Sequence, residues 1–162
     1  MNTPRPTIPL KVASGKPSKE ALAQLDKHWR VQYLMLAPHR LSFFLAMVVL
    51  VASGAWWAVV QVARSTGGWG LHYALSPSIV HGAVMAFGFI PLFFSGFLFT
   101  AGPKWLGVDP LPAQSLRAPL VAQAAGWLLW LAGAHLHAAL ALAGLALACA
   151  GLAWMTVQFW GR

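Results

Sequence analysis

Between Leu41 and Ala63, and again between Ile79 and Ala101, the sequence carries no Asp, Glu, Lys or Arg. Runs of that length constrain the chain more than any other feature. A helix needs about 20 mostly apolar residues to cross the roughly 30 Å hydrocarbon layer of a bilayer. A further apolar block, from Pro119 to Trp160, is too long for one crossing, and Gly133-Ala134-His135-Leu136-His137 supplies a small, polar turn near its middle. The expectation is therefore an all-α integral membrane protein with four transmembrane helices, at about 41–63, 79–101, 118–134 and 137–159. Charged residues are only 9% of the chain, which fits lipid as the surrounding medium, since soluble domains carry roughly a quarter.

The first 40 residues differ in kind. They are rich in Pro, Lys and Ser, lack the compact apolar core and cleavage site of a secretory signal, and read as a polar, basic tail. Leu22, Leu25, Trp29, Tyr33 and Leu36 recur at helical spacing, so a short amphipathic helix from about Lys19 to Leu36 is expected on the membrane surface. A domain of four spans over 41–162 follows the tail. The single cysteine, Cys149, rules out a disulfide framework and is expected to be buried as packing in the last span.

A net charge of +8 would suggest nucleic acid for a soluble chain, but here the basic residues are placed by topology. Seven of the eleven Lys and Arg residues precede the first span, Arg64 alone follows it, Lys104 and Arg117 lie between the second and third, and Arg162 ends the chain. The positive-inside rule then puts both termini in the cytoplasm, with outer turns at 64–78 and 133–137, and the basic groups against anionic headgroups. That orientation sends His72, His81, His135 and His137 to the outer end.

His81 opens the second span, with Met85, Gly88, Leu92 and Ser95 stacked below it at helical spacing. A glycine beneath an imidazole leaves a flat space for a neighbouring helix or the edge of a planar macrocycle. Pro91 removes one backbone donor, bends the helix, and leaves a carbonyl that needs a partner. The plain alternative is close helix packing through Gly82, Ala86, Gly88 and Gly96, as through Ala141, Gly144, Ala148 and Gly151 in the fourth span. His135 and His137 form a turn able to chelate Cu or Zn, or one that is simply solvated. Glu20, Asp26 and Asp109 all lie outside the spans, so neither a paired acid and base nor an intramembrane proton relay is available, and the chain does not read as an enzyme by itself. Trp56, Trp57, Trp69, Tyr73, Trp105, Trp154 and Trp160 are expected to anchor span ends at headgroup level.

The run HGAVMAFGFIPLFFSGFLFTAGPKWLG, residues 81–107, resembles the second-span signature of the NnrS family, bacterial inner-membrane proteins associated with haem, copper and the nitric oxide response. The family pattern reads approximately HAHEMxFGF, an apolar stretch, then GFLLTAxPxWxG. His81, Met85, Phe87-Gly88-Phe89, Gly96-Phe97-Leu98, Thr100-Ala101, Pro103, Trp105 and Gly107 fall in register, and APHRLSFFLAMVVLVASGAWW is similar to the family's opening span. Ala83 and Val84 depart from it, standing where the pattern has a second histidine and a glutamate. Family members typically have many more spans than four, so the resemblance implies the amino-terminal portion of such an arrangement, associating with itself or with other membrane subunits. It further implies haem, and possible copper, near the outer side. His81 is the first axial ligand, Met85 and Gly88 line the cofactor, and His72, His135 and His137 are further metal donors, with nitric oxide as ligand. Two rivals stand beside it: a cofactor-free structural or assembly subunit, and a cytochrome b-like electron-transfer subunit, which would need paired histidines at both membrane depths.

Overall fold

The computed structural model describes residues 30–161. All their regular structure is helical: a 3-10 turn at Val31–Leu36, then α1 (Pro38–Ser65), α2 (Pro77–Leu106), α3 (Arg117–Leu136) and α4 (Ala138–Trp160). Of the surface helix expected over 19–36, residues 19–29 lie outside the described residues, and Val31–Leu36 is the 3-10 turn. Proline opens both α1 and α2, where its missing N–H costs no helical bond. Gly107 closes α2 with φ +66°, its N–H returning to the Pro103 carbonyl, a conformation that a side chain would resist.

The four helices coincide with the four expected runs, but they are not equivalent. α1, α2 and α4 are long and apolar enough to cross a membrane, whereas α3 falls short by composition. The reason lies in what α3 touches. Leu120, Gln123, Ala124, Trp127, Trp130 and Ala134 are all buried against the other helices, so this element is selected for fit with protein more than for contact with lipid. Gln123 is wholly buried with neither amide atom hydrogen-bonded.

α3 and α4 are joined at His137, whose extended backbone makes the turn. Their axes approach so closely that a Cβ on Gly126 would lie 2.5 Å from the Gly144 carbonyl oxygen, and one on Gly151 would lie 2.7 Å from that of Pro119. The small face expected on the fourth span, Ala141, Gly144, Ala148 and Gly151, is thus buried within the chain. The matching set on α2 divides. Gly88 sits under the Trp127 indole and Gly96 against Phe43, while Gly82 has open space and Ala86 is exposed.

That division follows from a change of helical register. Val84–Phe89 winds as a π-helix just before Pro91, so the backbone distortion expected at the proline is present one turn wide. Just beyond it, Ser42 on α1 donates to the Leu92 carbonyl and Ser95 to that of Pro91 (2.7 Å). Outside this core the molecule is strongly apolar. Phe44, Met47 and Val51 on α1, Phe87 and Phe94 on α2 and Val157 on α4 are exposed, a surface suited to lipid rather than water. Cys149 is exposed on that surface, not buried as expected, because α4 turns its Ala141–Gly144–Ala148–Gly151 face to α3 and leaves Cys149 on the opposite side.

Candidate functional site

The end of the bundle where α2 begins and the α3–α4 turn lies gathers His72, His81, His135 and His137, but each has its own partners. On α1, Ser53 and Trp57 are one turn apart and share a face. Opposite them on α2, the His81 Nδ1 lies 3.0 Å from Ser53 Oγ, and the ring stacks on Trp57 at 4.8 Å and 4°. Arg64 lies over the same indole, 5.5 Å from its centroid, a cation–π contact at the helix end. His81 is half-buried, and its Nε2 makes no hydrogen bond with the described residues. An Nδ1–H tautomer, with Ser53 accepting, would leave the lone pair on Nε2, the usual disposition of an imidazole prepared to bind a metal.

His135 is arranged differently. Its Nδ1 is 2.8 Å from the His72 carbonyl, which can only accept, so Nδ1 carries the proton. Nε2 therefore accepts, and it receives the Trp56 indole N–H at 2.7 Å. Both ring nitrogens are engaged, and the ring also packs on Tyr73 at 5.0 Å. His137 accepts the Ala139 N–H at Nδ1 (3.1 Å) and so caps α4. His72 is exposed and meets His135 through its backbone. Met85 is half-buried within the π-helix. The space beside Gly88 is taken by Trp127, whose ring atoms would come within 3.0 Å of a Cβ there. Among the described residues there is no group of three or more His, Cys, Asp or Glu side chains able to hold a metal ion.

Ser53, Trp56 and Trp57 are the residues that sequence reasoning did not place here. Trp56 and Trp57 had been expected as headgroup anchors, as had Tyr73, yet all three are half-buried against imidazoles. Trp69, Trp105, Trp154 and Trp160 are exposed, as anchors would be. The available signal for Ser53 was its polarity in an apolar run, one helical turn from a tryptophan.

The NnrS protein family model matches residues 33–161, which takes in all four helices. The chain belongs to the NnrS family. No curated protein and no solved structure matches it. The structure divides the NnrS-like run in two. Its first part carries His81 and the π-helix. Its second part holds α2 to its neighbours, with Gly96 on Phe43, Thr100 bonded to His39 (3.3 Å) and Gly102 on Phe159. Val84, at the position of the pattern's glutamate, is fully buried in the core, whereas Ala83 is half-buried. A carboxyl at 84 would face the bundle interior; here that position is apolar packing.

Proposed function

We propose that this NnrS-family chain forms a four-span unit of the bacterial inner membrane, with both termini cytoplasmic, that binds haem through His81 and serves the nitric oxide response. The observation that carries the reading is the His81 imidazole, with Nδ1 tied to Ser53, its ring held by Trp57 and Nε2 open. The donor set favours haem over a bare ion. A metal ion alone needs several protein ligands, and no three-donor group exists among the described residues. A haem iron brings four nitrogens and needs only axial donors from protein. Gly82, with open space around it, leaves the flank of α2 beside His81 accessible to a planar group, while Gly88 is covered by Trp127. Bound haem would supply an iron centre for a small neutral gas that crosses lipid unaided, so no transport channel is required.

Copper at the His135-Leu136-His137 turn would require donors from elsewhere, since His135 has both nitrogens engaged. The four-span reading makes α3 cross the bilayer inside the bundle, sheltered by its neighbours, with the remaining apolar faces turned to lipid or to further membrane subunits. A visible absorption spectrum of the detergent-purified protein tests the proposal. A Soret band that disappears in His81→Ala is expected, and a colourless wild-type protein would leave only a cofactor-free assembly role.

A further inference from the structure

His81 stands on the α1 face of α2 only because the π-helix takes up an extra residue. On α1, the two side chains that hydrogen-bond α2, His39 and Ser53, are 14 residues apart and so lie about 40° from one another at roughly 100° per residue. Their partners on α2, Thr100 and His81, are 19 residues apart, which on an unbroken α-helix turns them about 100° out of line. Both bonds form because Val84–Phe89 winds with wider turns and removes roughly one residue, about 100°, of rotation. An unbroken helix would instead put Gly82 on the Thr100 line, 18 residues or about five whole turns away.

The sequence fits that second register as well. Gly82, Ala86, Phe89, Phe93, Gly96 and Thr100 recur at alternating steps of four and three, one continuous stripe on a regular helix. The part after Pro91 is already seated on α1: Phe93 stacks on Phe43 at 4.9 Å, Gly96 lies against the same ring, and Thr100 meets His39. The part before it is not, since Gly82 and Ala86 are exposed and a Cβ on Gly82 would meet nothing within 4 Å. Passing from one register to the other requires only Pro77–Ala83 to turn, a segment held to α3 by the Trp130 indole N–H on the Val80 carbonyl (3.3 Å). That rotation moves each residue into its predecessor's place. Gly82, which has no side chain to collide, comes to face Ser53 and Trp57; His81 takes the buried direction of Val80; Val80 takes the outward direction of exposed Ile79.

We propose that the π-helix is a register switch for His81. In the described register the imidazole is presented on α1, between Ser53 and Trp57; in the α register it is withdrawn into the bundle and Gly82 takes its place on α1. The switch belongs to the chain without any bound group, so its test is separate from that of haem binding. Full-length protein with isotope-labelled histidine, in detergent micelles, reads the two registers by NMR, because the Trp57 ring 4.8 Å away shifts a stacked imidazole upfield. The His81 signals are assigned by their loss in His81→Asn. Relaxation dispersion should show them exchanging between a stacked and an unstacked position. Ser53→Ala should raise the unstacked share about fivefold, the factor for one net hydrogen bond. Gly82→Leu, whose side chain has room outside the seam but not within it, should abolish the exchange, and combined with Ser53→Ala it should restore the stacked signal. Local loosening of the imidazole would not respond to a residue that points away from it. Deletion of exposed Ala86 leaves 18 residues from His81 to Thr100 and should hold the ring stacked, without exchange, on an ordinary α-helix; Gly82→Leu makes the same test without shortening the chain. Exchange that persists in Gly82→Leu, or an unstacked Ser53→Ala signal that Gly82→Leu leaves unstacked, would overturn the switch. A permanently stacked His81 in both the wild type and Ser53→Ala would overturn it too.

Discussion

The hydrogen bond between Trp56 and His135 shows how much one side chain decides here. The His72 carbonyl fixes the His135 tautomer, the tautomer makes Nε2 an acceptor, and only the indole N–H meets it. Trp56→Phe keeps an aromatic ring but removes that donor, leaving a half-buried acceptor without its partner. The expected loss is about 1–2 kcal/mol of unfolding free energy, the range for stranding a partly buried polar atom. Denaturation of the detergent-solubilised variant measures it, and Trp57→Phe, which deletes no hydrogen bond given by the structure, should cost less. The sequence placed a histidine cluster at this end of the bundle but not the divisions within it. Spacing along a chain states which residues share a helix face; it does not state which side chains on the next helix meet them. His81 and His135 have the same residue type and the same predicted location. Their difference comes entirely from Ser53, Trp56 and a loop carbonyl, all supplied by other elements.

Among the elements, the glycines of α2 and α3 separate into two kinds that composition cannot tell apart. Gly126 faces the α4 backbone, where any Cβ would collide with groups unable to rotate away. Gly82 faces open space on the exposed side of α2. Gly126→Ala should therefore force α3 and α4 apart and cost about 3 kcal/mol or more, at the upper end of overpacking penalties. Gly82→Ala should be neutral or stabilising by up to about 1 kcal/mol, because alanine is the better helix former. Equilibrium unfolding of the two variants side by side checks the contrast; equal destabilisation would contradict it. The small face of the fourth span was legible because Ala141, Gly144, Ala148 and Gly151 keep strict helical spacing on a regular helix. The corresponding set on α2 was misread for two reasons: at about 100° per residue Gly88 already lies roughly 120° from Gly82 on a regular helix, and the wider turn of Val84–Phe89 moves Gly96 out of phase with Gly82. An extra residue in a turn leaves no mark in a list of apolar positions, although Pro91 did indicate where the distortion would fall.

For the molecule as a whole, the distribution of charge and the distribution of rings make the same division between the two ends. At the His81 end Arg64 is the only Lys or Arg among the described residues, and it is drawn onto Trp57. At the His39 end lie Arg30, Arg40, Lys104 and Arg117 among the described residues. That end is closed by Gln158 of α4, which donates to the Ser115 carbonyl in the connection before α3 (3.3 Å). The opposite end is closed by the Ala74 N–H donating to the Ala134 carbonyl (2.7 Å). Both interhelical connections at the His81 end are therefore fixed to one another, and they must face the same compartment if the bundle lies across a bilayer as a unit. In the topology proposed above that compartment is the periplasm. With Cys149 changed to serine, single cysteines at His72 and Leu136 should react with a membrane-impermeant maleimide added to intact cells, whereas one at Gln114 should react only after the inner membrane is opened. Cys149 itself, exposed on an apolar helix face, should resist the impermeant reagent and accept a lipid-soluble one. Labelling of 72 and 136 from opposite sides would mean that α3 does not cross the membrane with its neighbours. The His72–His135–Trp56 contacts could not then exist in the cell.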